Sequence, residues 1–190
     1  MKEPILYRLV RPVLKIIFDI IYKPTYIGLE NIPKNEKLLI ASNHTNNFDC
    51  IFLISSTKRV IHFMGKHTLF NGFKKIIFKA MGVISVNRTI KDKKCLDNAR
   101  DVLMNNKVIG IFPEGTINKT NQFMIPLKMG VIKLAHDTNS MIIPVVINGK
   151  YKRKKLIIKY GVPYKLKEDN LENELNKLNS KFIELLEELK

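Results

Sequence analysis

Two cysteines, Cys50 and Cys95, are all that the 190 residues hold. They stand far apart and lack the spacing of metal ligands, so they read as reduced core or surface thiols in a cytoplasmic setting. None of His44, His62, His67 and His136 has a second His or Cys at ligand spacing. No metal and no cofactor is therefore expected, and a metallohydrolase built on His44 and Asp49 would want a third ligand. Acidic residues are missing from Cys50 to Lys91, a stretch with eight Lys or Arg. No uncharged apolar run comes near the ~20 residues of a spanning helix. The absence of a small-residue cleavage site argues against a signal peptide. No Gly-x-Ser-x-Gly occurs, so no serine nucleophile elbow is expected. Internal repeats and low-complexity linkers are also lacking. The length then suits one domain with a sizeable core.

What is present is 45% apolar, ordinary for a folded protein. The net charge of +16 calls for an anionic partner: nucleic acid, a membrane surface, an acidic protein or a phosphorylated substrate. A second basic block, residues 150–155, carries five Lys or Arg. Abundant Lys beside abundant Ile and Asn is also a compositional habit, so charge alone decides little. Zinc-knuckle, RNP-like and helix-turn-helix signatures are absent, and no nucleic acid is expected.

Residues 1–24 read as an amphipathic helical segment that lies in a membrane interface, the alternative being a helix packed onto the domain's own core. Ile5, Leu9, Val13, Ile16 and Ile20 belong to a broad apolar stripe interrupted by Arg8, Arg11 and Lys15. Pro12 is expected to kink or split this helix. Residues 25–190 read as one α/β domain, since apolar runs alternate with helical patterns. Strands are expected at 38–42, 60–64, 82–88, 108–112, 141–147 and 156–158, with a short strand and turn over 26–33. Helices are expected over 48–56, 67–80, 92–105 and 127–137. A final helix carries Leu171, Leu175, Leu178, Phe182, Leu185 and Leu189 on one stripe, with Asp169 and Glu172 as its capping box. Pro144 inside a strand marks an edge, a bulge or a turn toward the site. The predicted fold is α/β, three layers, with a mixed sheet flanked by helices.

Two polar stretches follow apolar strands, where open α/β sheets build their sites. Asn43-His44-Thr45-Asn46-Asn47-Phe48-Asp49 leaves the first strand. Its His and Asp can meet across one turn, Asp49 fixing the tautomer and leaving the other nitrogen to take a proton. A local cap or structural hydrogen bond is the alternative for the pair alone. Phe112-Pro113-Glu114-Gly115-Thr116 leaves a second strand about 70 residues later.

In that order and at that distance, Asn-His-x4-Asp and Phe-Pro-Glu-Gly-Thr resemble the glycerolipid acyltransferase family, whose bacterial members include the 1-acylglycerol-3-phosphate acyltransferases. Gly28 to Pro33 is similar to the family's Gly-x-Glu-Asn-x-Pro lead-in, Lys128 and Gly130 to its Lys-x-Gly, and Met141 to Ile147 to its fourth motif. The resemblance runs from about Tyr26 to Pro163. It implies His44 as general base and Asp49 as its orienting partner. It implies Lys66, Arg88, Glu114, Gly115, Thr116 and Lys128 as the acceptor and phosphate site. Glu114 would orient the glycerol part, or serve as a structural carboxylate. One departure stands out: Ile117 and Asn118 follow Thr116, where the family commonly has Arg and Ser. The phosphate would then fall to Arg88, Lys66, Lys119 or Lys128, or the acceptor differs.

The implied reaction moves an acyl chain from acyl-coenzyme A or acyl carrier protein to the free hydroxyl of 1-acyl-sn-glycerol 3-phosphate, giving phosphatidic acid. The expected partners are a lysophospholipid, an anionic membrane surface and an acidic acyl carrier protein, at the cytoplasmic face of the cell membrane. Another lysolipid acceptor is the near alternative. A non-catalytic lipid-binding scaffold and a basic nucleic-acid-binding module are alternatives of another class.

Overall fold

A computed structural model describes residues 4–87, 89–90 and 92–190, Lys74 by its backbone. The chain opens with α1 (Ile5–Tyr22), then β1 (Thr25–Ile27), β2 (Leu38–Ser42), α2 (Asp49–Ser56), β3 (Ile61–Lys66), α3 (Lys74–Ala80) and β4 (Ile84–Val86). It continues with α4 (Lys93–Met104), β5 (Val108–Ile111), α5 (Gly130–Thr138), β6 (Met141–Gly149), β7 (Leu156–Tyr160) and α6 (Leu171–Glu187). The strands form one seven-stranded sheet in the order β1-β7-β6-β2-β5-β3-β4. Among the described strands, only the β6–β7 pair is antiparallel. The expected mixed sheet is therefore the one found.

Central strands of such a sheet are covered on both faces and need apolar residues at every position. β2 meets this over its first four residues, Leu38 to Ala41, and its last, Ser42, is a buried hydroxyl. On one face Leu39, Ala41, Ile109, Ile142 and Val146 pack under α4, α5 and α6, through Ala99, Leu103, Ile132, Leu178 and Phe182. On the other, Leu38, Ile40, Ile143, Val145 and Ile158 pack under α1 and α2, through Tyr7, Phe18, Phe52 and Leu53. These are the three layers the alternating pattern predicts.

Several local readings are corrected. Of the two expectations at Pro12, the split is the one corrected: α1 runs as a single helix past it. Side chains on both sides of the proline hold the helix down. The Tyr7 hydroxyl accepts from Ile61 N at 3.1 Å, Arg11 Nε donates to Thr57 O at 2.5 Å, and Phe18 packs edge-on against Phe52. The expected helix over 67–80 divides into a 3₁₀ turn, His67–Phe70, and α3, because Gly72 between them takes φ 56°. The helix expected from Leu127 begins only at Gly130, since Lys128 N donates to Pro113 O. The last helix is capped one residue later than predicted. Asn170 Oδ1 accepts from Glu172 N and Asn173 N, and Asp169 takes no part in the cap.

Pro144 sits not on an edge but between β2 and β7, and the bulge is the alternative realised. Val145 faces Tyr160, whereas Ile142 faces Tyr164, so three residues along β6 meet four on the other side. The slip falls where proline offers no N–H, and Gly161 N donates to its carbonyl at 2.9 Å. Position 88, predicted to end the β4 segment with an arginine, lies outside the described residues.

Candidate active site

β2, β5, β3 and β4 are parallel neighbours, so their carboxyl ends open on one edge. His44 leaves β2 there, Glu114 leaves β5 and Lys66 closes β3. The loop after β2 is drawn back onto Asp49, the first residue of α2. Asp49 Oδ2 accepts from Thr45 N at 2.7 Å, Asn46 N at 2.9 Å and His44 Nδ1 at 2.9 Å. Its Oδ1 accepts a short hydrogen bond from the Tyr151 hydroxyl. The carboxylate is fully buried at the positive end of α2, while the His44 side chain is 18% exposed. With Nδ1 turned to Asp49, Nε2 is the nitrogen left for an incoming proton.

The imidazole has a firm back wall. It stacks on Phe112 with centroids 3.9 Å apart and planes 12° apart, and Phe112 stacks in turn on Phe63. Gly110 leaves the room for this column, because a Cβ there would stand 2.4 Å from the Phe63 ring. His44 is also held by its backbone. Its N–H donates to Glu114 Oε1 at 2.6 Å and its carbonyl accepts from Asn118 N at 2.7 Å. The second Glu114 oxygen accepts from Ile125 N at 3.0 Å. Glu114 is thus buried with both oxygens on backbone N–H groups. Burial raises its carboxyl above the ordinary value, and the two N–H bonds only partly offset this.

Gly115 follows at φ 72°, and the Lys128 side chain lies across its open face: a Cβ there would be 2.7 Å from Nζ. Thr116 is exposed and Ile117 half-buried beside them. Lys66 is exposed at the end of β3. The structure therefore joins His44, Asp49 and Glu114 directly, brings Gly115 and Lys128 together on the next turn, and sets Lys66 two strands away on the same edge. Cys50 follows Asp49, and burial with the neighbouring carboxylate pushes its thiol up to about 11, away from the thiolate form. No cluster of three or more His, Cys, Asp and Glu among the described residues is placed to hold a metal ion.

Three residues escaped the sequence reading. Asn43, buried, exchanges two hydrogen bonds with the backbone of Ile147 and ties the loop to β6. Asn118 closes its own turn by accepting from Thr120 and donating to Gln122 O. Tyr151 lies inside the basic block of residues 150–155, where no local pattern sets it apart. Asn43 and Asn118 carried a signal, being amides at strand exits next to the two motifs.

The sequence model of the Acyltransferase family matches residues 23–148. The chain belongs to this family. Among relatives, the 1-acyl-sn-glycerol-3-phosphate acyltransferase of Borreliella burgdorferi is 36% identical over 123 residues, 63% of this chain and 49% of its own. The protein of the same name from Bacillus subtilis is 26% identical over 156 residues, 81% of this chain and 77% of its own. This chain thus spans about half the length of the Borreliella relative. In fold it is similar to the 1-acyl-sn-glycerophosphate (LPA) acyltransferase PlsC of Thermotoga maritima, with a TM-score of 0.79 at 19% identity over 97% of this chain and 79% of that one. The family match takes in both motifs and five of the seven strands whole, from β1 to β5, with all but the last residue of β6.

Proposed function

We propose that this protein is an O-acyltransferase that moves an acyl chain from a thioester to the free hydroxyl of 1-acyl-sn-glycerol 3-phosphate. The observation that carries the reading is the His44 Nδ1 to Asp49 Oδ2 bond of 2.9 Å, on a ring braced by Phe112 and partly open to solvent. His44 Nε2 takes the hydroxyl proton as the acceptor oxygen attacks the thioester carbonyl. The carbon–sulfur bond breaks, and the thiolate recovers the proton from the imidazolium. The acceptor oxygen is itself the nucleophile, so no acyl-enzyme is needed. Lys128, lying across Gly115, and Lys66 on the same edge are the described cations that meet the acceptor phosphate, in place of the arginine that Ile117 replaces. The donor is acyl-coenzyme A or an acyl carrier protein, both polyanions suited to a basic surface.

The acceptor is tested by following thiol release from an acyl-coenzyme A with lysophosphatidic acid, glycerol 3-phosphate and a zwitterionic lysolipid. Release is expected with lysophosphatidic acid alone. A preference for a zwitterionic lysolipid would keep the chemistry and replace the substrate.

The protein meets its lipid at a membrane interface, through α1 and α3. No helix among the described residues is long and apolar enough to cross a membrane. Ile5, Leu9, Val13, Ile16 and Ile20 nonetheless line one exposed side of α1, and Phe73 and Ile76 are exposed on or beside α3, with Lys75 and Lys79 among them. An apolar face with basic neighbours suits an anionic surface. Ile16→Asp is expected to abolish sedimentation with anionic vesicles while leaving the urea midpoint unchanged. Undiminished vesicle binding by this variant would remove α1 from the interface.

A further inference from the structure

One hydroxyl beside the dyad has no part in the reaction above. Tyr151 is the second residue of the loop joining β6 to β7. β6 runs parallel to β2, so this loop leaves the sheet on the edge where His44 and Asp49 stand. The Tyr151 ring is half-buried, 6.1 Å from the Phe52 ring between centroids. Its hydroxyl lies 2.6 Å from Thr45 Oγ1 and donates to Asp49 Oδ1. A carboxylate can only accept, so the single phenolic proton goes to Asp49 and the Thr45 hydroxyl donates to the phenolic oxygen.

The four bonds to Asp49 are unevenly shared. His44 Nδ1, Thr45 N and Asn46 N converge on Oδ2. Tyr151 alone among the described residues bonds Oδ1. The carboxylate turns only about its Cβ–Cγ bond, so the donors at Oδ2 and the single donor at Oδ1 restrain the same rotation from its two ends. The loop that carries Tyr151 is itself anchored. Lys154 N donates to Tyr22 O at 2.6 Å and Arg153 Nη1 to Ile20 O, so it grips the last turn of α1.

We propose that Tyr151 is a positioning residue of the dyad, whose hydroxyl fixes the rotation of the Asp49 carboxylate so that Oδ2 stays in line with His44 Nδ1. The proposal rests on the reading of His44 as general base. Burial, then the charge of Asp49, raises the phenol above its ordinary range, so it remains a donor wherever the dyad works.

Tyr151→Phe keeps the ring and removes only the hydroxyl. It is expected to lower kcat about tenfold or more, the size of one lost hydrogen bond to an ionised group, with KM for both substrates unchanged. In an Asp49→Asn background the same change should cost nothing further, because its effect runs through the carboxylate. A packing role would give equal losses in both backgrounds, and that result overturns the proposal. A second readout needs no substrate. The proton resonance of His44 Nδ1–H should broaden or vanish in Tyr151→Phe, as the bond to Asp49 loosens. An unaltered resonance with unaltered kcat overturns the proposal even where His44→Ala is inactive. A lost resonance in Tyr151→Phe, with His44→Ala fully active, would uphold the positioning and overturn the catalytic reading. Should Tyr151→Phe fold poorly, Thr45→Val removes the bond behind the phenol and is expected to lower kcat by less, again at constant KM. No change in kcat with that variant would count against the proposal.

Discussion

His44→Ala is expected to lower kcat for thiol release by about a thousandfold, within the range that a positioned general base contributes. The loss should fall on kcat, because the imidazole meets the proton and not the bulk of either substrate. Folding should survive. Asp49 Oδ2 keeps Thr45 N and Asn46 N, and the backbone bonds of residue 44 to Glu114 and Asn118 do not involve the side chain. The check is steady-state kinetics beside a urea unfolding curve. Full thiol release from a folded variant would remove His44 from the chemistry.

Glu114 should behave in the opposite way, with a large effect on stability. Its two oxygens are the acceptors for His44 N and Ile125 N in a buried setting. Glu114→Ala strands both donors and is expected to cost about 2–4 kcal/mol in urea unfolding. Glu114→Gln is no mild change, since an amide brings only one acceptor oxygen and sets its NH2 against an N–H. Burial raises the Glu114 carboxyl, so the folded state holds this proton more tightly than the unfolded one. The Glu114 contribution to stability is therefore full below the ordinary carboxyl value and falls as pH rises through the raised one. Glu114→Gln should abolish that part of the pH dependence. A Glu114→Ala protein as stable as the parent would show that the clamp on the His44 loop is dispensable.

The two effects differ because side chains of the two motifs do different things, and the sequence distinguished them only in part. His44 and Asp49 were legible because their spacing lets them meet across one turn and because Asn-His-x4-Asp, followed by Phe-Pro-Glu-Gly-Thr, resembles the motifs of a known family. The strands were legible for a separate reason: Leu38 to Ala41 and Val108 to Ile111 are apolar runs that a sheet covered on both faces demands. What stayed hidden depends on distant partners. Nothing local says that Glu114 faces two N–H groups, one of them 70 residues away. Tyr151 reaches Asp49 only because β6 lies beside β2, a neighbour set by strand order and not by spacing. The predicted cap at Asp169 failed through local detail. Glu174 accepts from Lys167 N and Glu168 N, and the chain enters α6 through Asn170 instead.

The loop of residues 150–155 also bears on how the protein can be engineered. A shortened form without α1 invites use as a better-behaved catalytic core. That shortening takes away Tyr22 O and Ile20 O, the acceptors that hold Lys154 and Arg153 in place. It also opens the face under Tyr7 and Phe18. The freed loop carries Tyr151 with it, three residues from Lys154. Lost activity in such a form would report a loosened carboxylate as readily as lost contact with lipid, so the apolar face of the helix has to be altered with its last turn left in place.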